Sequence, residues 1–285
     1  MVKKTVLPSR GLPYEDKLPN GEVEVRPMTA KEETLLLGPA KDRLEVLDTL
    51  IRRCLITEFP YEEFLISDKY YLLFFLRSIS YGPDFEFVVQ CSNCGTSFKK
   101  ALKILEDLLL RALTEEDIEP FECFLPSCER TVQLRSLRIK DEKEVQRYIA
   151  RSHRGGVPEG DPGYLYRMAK QIVTIDGQSI DVLEALKFCG NLIGLDSLEM
   201  RNVLDIHDCG LDLILHIDCP SCGTEMEELL PFTAEFFRPK HANIRQHAGR
   251  KPVGTGETIR NDSGPNSYGT GGGIDVTDPD PGSGL

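Results

Sequence analysis

The sequence predicts an α+β fold: a helical core with β-hairpins, and a split Cys₄ zinc ribbon formed by two distant Cys-x-x-Cys-Gly knuckles. Three observations carry this. Cys91-Ser-Asn-Cys94-Gly-Thr96 and Cys219-Pro-Ser-Cys222-Gly-Thr224 are near-copies far apart in the chain, each preceded by an alternating apolar run. Tyr70-Tyr71-Leu72-Leu73-Phe74-Phe75-Leu76 is apolar on nearly every side, as a central buried helix is. Phe121–Leu125 and Thr131–Leu137 alternate around Pro126-Ser127-Cys128-Glu129, as a hairpin does.

Residues 1–22 are Pro/Gly-punctuated and read as an extended N-terminal arm. Val23–Val25 alternates like a short strand ending at Pro27, and Thr29 with Glu32 forms a capping box for a helix into Leu35-Leu36-Leu37. Lys41 to Leu55 places Leu44, Leu47, Leu50, Ile51 and Cys54 on one helical face. Cys54 there is a small buried hydrophobe, not a ligand. Ser67 or Asp68 is positioned to cap the central helix, which Gly82-Pro83 ends. Phe85–Gln90 is then a strand into the first knuckle, and Thr96–Lys99 returns from it. Ala101 to Leu113, with Leu102, Leu105, Leu108 and Leu109, reads as a helix.

A charged helix is expected over Glu142–Arg151, followed by a loop from His153 to Gly163. Tyr164–Ile175 is a short helix passing into a strand, broken at Asp176-Gly177. Helices follow at Ile180–Asn191 and Ser197–Ile206, separated at Gly194 and capped by Asp196 or Ser197. Leu211–Ile217 is a strand into the second knuckle, Thr224–Leu230 leaves it, and Phe232–Phe237 is a closing apolar turn. The expected organisation is an arm (1–22), a domain (23–239) and a Gly/Pro-rich low-complexity tail (240–285). Within the domain, 83–100 pairs with 211–230 as the ribbon, and 140–206 is a helical insertion.

Cys91, Cys94, Cys219 and Cys222 are the expected metal ligands, supplying four thiolates to one structural zinc with no position left for water or substrate. Cys123 and Cys128 are the alternative partners for the first knuckle, but their gap spans a hairpin turn and no glycine follows either. Cys209 with His207 reads as a helix-end polar cluster, and Cys189 as packing. A redox role wants the first thiol at a helix N-terminus, whereas both pairs lie between strands. No nucleophile elbow, phosphate loop or His-Glu-x-x-His appears, and the five histidines are scattered, so no catalytic residue is expected. The formal net charge of −12 over 285 residues opposes phosphate backbones and disfavours nucleic acid. No apolar run is long enough to span a bilayer, no signal-like stretch follows Met1-Val2-Lys3-Lys4, and the nine cysteines fit a reducing cytoplasmic setting.

Several stretches together resemble the T4-type bacteriophage baseplate protein family of hub and hub-assembly subunits. They are Leu7-Pro8-Ser9-Arg10-Gly11, Val25-Arg26-Pro27-Met28-Thr29 with Glu32-Glu33, Ser67-Asp68, and Leu76-Arg77-Ser78-Ile79-Ser80-Tyr81-Gly82. Both knuckles, Phe124-Leu125-Pro126 with Leu134-Arg135, Lys140-Asp141-Glu142 and the terminal Phe236-Phe237-Arg238-Pro239 complete the set. The resemblance implies a non-enzymatic component or assembly factor of a contractile-tail baseplate. Its partners would be other baseplate or tail proteins, in several copies per assembly, met in the host cytoplasm during assembly and retained in the virion tail. The tail after Lys240 lies outside that pattern. Two rival functions stand beside this: a zinc-ribbon nucleic-acid or transcription module, and a metalloenzyme with an incomplete zinc site.

Overall fold

The computed structural model describes residues 1–37, 43–153, 160–231 and 236–237, so the tail from 240, most of the 153–163 loop and the 232–235 part of the closing turn lie outside it. The described residues form an α+β fold with seven α-helices and small antiparallel sheets. The centre of the first core is the helix foreseen from its all-round apolarity, Ile66–Tyr81, with Leu72, Leu73, Phe74 and Leu76 fully buried. Helices Ala30–Leu37 (α1) and Arg43–Cys54 (α2) precede it as α3, and α2 buries Leu50, Ile51 and Cys54 on the expected face. Thr29 and Glu32 do cap α1: the Thr29 N–H donates to Glu32 Oε2 at 2.9 Å, and Lys31 N–H reaches Thr29 Oγ1 at 3.4 Å. At its far end α3 stops at Gly82, whose φ of 92° suits only glycine and whose N–H bonds Ser78 O.

Residues 1–22 are not an extended arm. Strand β1 (Lys3–Val6) pairs antiparallel with β2 (Glu22–Val25), and the chain between them folds back through two short 3₁₀ turns. Leu7, Tyr14 and Leu18 are buried in the first core. The prolines do exclude an α-helix, but Gly11, at φ 80°, lets the segment close on itself; a Cβ there would lie 2.2 Å from Leu18 O. The anchor is Asp68. It does not cap α3, whose N-cap Leu65 carries no side-chain bond; it is wholly buried and accepts from Ser9 N–H (3.1 Å) and the Tyr14 hydroxyl. The Tyr14 oxygen in turn accepts from Leu65 N–H at 2.8 Å.

The expected helix over 101–113 is replaced by strands. β3 (Asp84–Gln90) pairs with β4 (Ser97–Lys103) over seven residues, and β5 (Leu110–Arg111) pairs with β10 (Gly210–Leu211). The leucine spacing suits a helix, but cross-strand pairing with β3 fixes Leu102 inward, and Lys103 N–H then bonds Asp107 Oδ2 at 2.7 Å to start a turn. Leu109, which a helix would have shared with the buried face, is 71% exposed.

A second core lies between a four-stranded sheet and helices. β6 (Phe121–Leu125), β7 (Arg130–Leu134), β8 (Ile172–Ile175) and β9 (Gln178–Ser179) follow in spatial order, all antiparallel. The Asp176-Gly177 turn between the last two has both residues at positive φ. α4 (Ile139–Ser152), α5 (Pro162–Gln171), α6 (Val182–Gly190) and α7 (Gly194–Ile206) complete this part, and Cys123, Cys189, Met168 and Met200 are among its buried residues. This core therefore begins at Phe121 in the β6 strand, earlier than the expected helical insertion at residue 140, and is half sheet. α6 and α7 are separate helices, as expected, but the break falls at 191–193 and α7 begins at Gly194, three residues before Ser197, with Ile193 at its N-cap. Asp196 is buried and accepts from Ser127 N–H at 2.8 Å, so it ties the β6–β7 turn to α7 instead of opening the helix.

Two of the quoted stretches meet at Arg77. Its buried guanidinium donates to the carbonyls of Phe236 (3.2 Å), Asp84 (2.8 Å) and Gly82, between the rings of Phe85 and Phe236. The end of α3, the start of β3 and the Phe236-Phe237 pair are thereby clasped together.

Candidate functional site

Each knuckle is a turn between two strands. β3 delivers Cys91 and β4 leaves after Thr96; β11 (Ile214–Asp218) delivers Cys219 and β12 (Glu225–Leu229) leaves after Thr224. The two turns repeat one another bond for bond. Cys91 N–H donates to Thr96 O and Gly95 N–H to Cys91 O, both at 2.9 Å; Cys219 N–H to Thr224 O and Gly223 N–H to Cys219 O match them at 2.9 Å. Gly95 (φ 71°) and Gly223 (φ 69°) take the left-handed conformation that closes each turn, which is why glycine follows both second cysteines. The alternating strands place Val89, Cys91, Ile217, Cys219 and Met226 inward as a small third core.

The four thiols meet. Cys91 Sγ lies 3.7 Å from Cys222 Sγ and Cys94 Sγ 3.7 Å from Cys219 Sγ, and all four sulfurs fall within 4.8 Å of one another. A disulfide would need about 2.05 Å. A tetrahedron of sulfurs about 2.3 Å from a central zinc has edges of about 3.8 Å. Spacing and donor set both fit a tetrahedral thiophilic ion. Among the described residues this is the one cluster of three or more ligating side chains close enough to share an ion. One cysteine of each pair, Cys91 and Cys219, is buried; the other, Cys94 and Cys222, is exposed.

The threonines flank the exposed sulfurs. Thr96 Oγ1 is 3.3 Å from Cys94 Sγ and Thr224 Oγ1 is 3.2 Å from Cys222 Sγ. Hydrogen bonding from Thr224 pulls the Cys222 thiol down to about 6, and Thr96 lowers Cys94 in the same direction. Burial pushes Cys219 up to about 11. Asn93 crosses between the turns: its Nδ2 donates to Thr224 Oγ1 at 2.9 Å and points at Cys222 Sγ at 3.7 Å. The repeated Gly-Thr marked the threonines in the sequence. Nothing marked Asn93, because Ser221 stands at the matching place in the other knuckle.

The remaining cysteines lie elsewhere. Cys54, Cys123 and Cys189 are core thiols, raised by burial to about 11, about 11 and about 12. Cys128 is exposed on the β6–β7 turn. Cys209 and His207 do not share an ion: Cys209 Sγ contacts Ser67 Oγ at 3.2 Å, whereas His207 Nδ1 bonds Asp117 Oδ1 at 2.9 Å and its ring stacks on Phe121.

No curated protein and no solved structure significantly matches the chain. The family model described as "T4 bacteriophage base plate protein" does match, over residues 10–238. That span takes in both cysteine turns, the buried Asp68 and the Arg77 clasp up to Phe237. This chain belongs to the T4 bacteriophage base plate protein family.

Proposed function

We propose that this protein builds or assembles the baseplate of a contractile phage tail through protein–protein contacts, with a structural zinc held by Cys91, Cys94, Cys219 and Cys222. The family match carries the first half. The second half rests on four sulfurs spaced as the edges of one tetrahedron. Four thiolates fill a zinc ion's coordination and leave no position for a reacting water, which supports a structural over a metalloenzyme role. The net charge of −12 favours protein partners over phosphate backbones.

Zinc, when bound, contributes folding free energy by joining two turns that share no backbone ladder. The threonine hydroxyls and Asn93 orient the exposed sulfurs. Assembly would take place in the host cytoplasm, with the finished subunit carried in the virion tail.

Two measurements test the halves separately. Elemental analysis of the purified chain should give one zinc per chain with an all-sulfur X-ray absorption shell; nitrogen or oxygen ligands would overturn the site. Infection with phage lacking this chain should yield tails without complete baseplates by electron microscopy. Complete, contractile tails would overturn the assembly role.

A further inference from the structure

The likeness of the two cysteine turns continues into the strands that leave them. Counted from the second cysteine of each turn, Phe98 of β4 matches Met226 of β12, Ala101 matches Leu229, and Leu102 matches Leu230. Phe98 and Met226 both pack in the third core, and Leu102 and Leu230 are both buried. Between these matches the charge inverts. Lys99-Lys100 stands in β4 where Glu227-Glu228 stands in β12, and Glu225 follows the second turn where Ser97 follows the first.

Both strands are open along one edge. In the first hairpin Cys91 N–H bonds Thr96 O and Ile104 N–H bonds Pro83 O, so the antiparallel alternation turns the backbone groups of Ser97, Lys99 and Ala101 away from β3. In the second, Cys219 N–H to Thr224 O and Leu230 N–H to Leu213 O turn those of Glu225, Glu227 and Leu229 away from β11. Among the described residues no other backbone group bonds to these six, and the two hairpins are separate two-stranded sheets. All six residues are exposed, Leu229 to 70%.

Little within the chain holds the charges on these edges. Lys99 pairs across its own hairpin with Glu86 at 2.6 Å, an exposed contact of a kind that contributes little. Glu225 and Glu227 each lie 3.9 Å from His216 Nδ1, and among the described residues neither Lys100 nor Glu228 has an ion-pair partner. An open edge is a template for another strand, and lysines along it ordinarily keep other strands away. A strand of glutamates is the one they admit. Antiparallel pairing of β4 with β12 of another copy, Lys99 opposite Glu227, lets the six open residues bond to one another and sets Lys100 diagonal to Glu228. Ser97 then faces Leu229 and Ala101 faces Glu225, so no like charges meet.

We propose that the chain binds a second copy of itself by joining the lysine-bearing edge of β4 to the glutamate-bearing edge of β12. This self-contact goes beyond the baseplate role proposed above and does not rest on it. The test is sedimentation velocity of the purified full chain in about 150 mM salt, where charge repulsion is screened beyond about 8 Å. Zinc content is measured for every sample. The wild type should self-associate as its concentration rises. Lys99→Glu with Lys100→Glu should be monomeric over the same range, and so should Glu227→Lys with Glu228→Lys. A 1:1 mixture of these two variants should associate again, because the reversed edge of each then meets an edge of opposite charge on the other. If a reversed variant loses zinc or fails to fold, the neutral changes Lys99→Gln with Lys100→Gln, and Glu227→Gln with Glu228→Gln, should each weaken association about tenfold or more. A wild type that stays monomeric at every concentration, association that survives the substitutions, or a mixture of reversed variants that stays monomeric would overturn the proposal. So would protection from amide exchange on association that falls outside 97–101 and 225–229, which would put the contact elsewhere.

Discussion

Asp68 carries a titration that the fold makes visible. Burial raises its carboxyl to about 6, against about 3.9 in an unfolded chain, even though Ser9 and Tyr14 bonds pull the other way. A carboxyl raised in the folded state contributes stability that is full below the unfolded value and lost as pH rises through about 6. Between pH 5 and 7.5 this group alone should remove about 1 kcal/mol. Denaturant unfolding of wild type and Asp68→Asn across that range should show the difference between them changing by that amount; parallel curves would show that Asp68 does not titrate there. At the cysteine site, Asn93→Ala should leave four ligands but free the Cys222 turn, lowering metal affinity by about tenfold or more in a chelator competition. The double substitution Cys91→Ser with Cys222→Ser takes one sulfur from each turn and should lose both the metal and the thermal transition of the ribbon. An unchanged midpoint and metal content would disprove the pairing. The four cysteines were legible because the sequence repeats gap, glycine and threonine. Asp68 was misread because a cap and a buried anchor share the same local sequence; only the distant Ser9 and Tyr14 distinguish them.

Among the elements, the Arg77 clasp has the greatest reach. One guanidinium serves three carbonyls from α3, β3 and the chain's last described pair, so its loss orphans acceptors in three elements at once. Arg77→Met should cost about 3 kcal/mol or more in urea unfolding, since bonds to a charged donor contribute about 1.5–3 kcal/mol each and do not add fully. Arg77→Lys should recover only part of this, because an ammonium cannot span the fork. Equal stability of Met and wild type would show that the contacts are replaceable. The helices α2 to α7 were readable in outline from their periodicity, and the 121–134 hairpin from its alternation. The stretch 101–113 was not, because Leu102, Leu105, Leu108 and Leu109 satisfy a helical spacing while β3 supplies a seven-residue partner that no local pattern encodes. The first 22 residues failed for a related reason. Pro and Gly correctly excluded a helix, yet they left open whether the chain extended away or closed over α3. The answer lies in burial of Leu7, Tyr14 and Leu18 against residues about fifty positions later.

At the scale of the whole molecule, the described chain has three apolar cores of unequal size, and the cysteine turns stand over the smallest. That core has five buried residues, two of them cysteines of the cluster, and its two hairpins are separate two-stranded sheets. Isolated two-stranded hairpins are marginal in water, so the β3–β4 and β11–β12 tips depend on whatever joins their sulfurs. Isolated zinc modules gain roughly 10–16 kcal/mol on binding metal, but a chain with two other cores needs the ion only for this part of its structure. Chelation at pH 7.5 should therefore melt the tips locally. Amide exchange should accelerate around 88–98 and 216–226, while α3 and the β6–β8 strands keep their protection. The base of β3 should also hold, because Phe85 packs on Phe236 inside the Arg77 clasp. If chelation instead removes protection uniformly, the ion supports the whole domain and the three cores are one cooperative unit. If nothing exchanges faster, the hairpins stand without metal and the four thiols have no structural role.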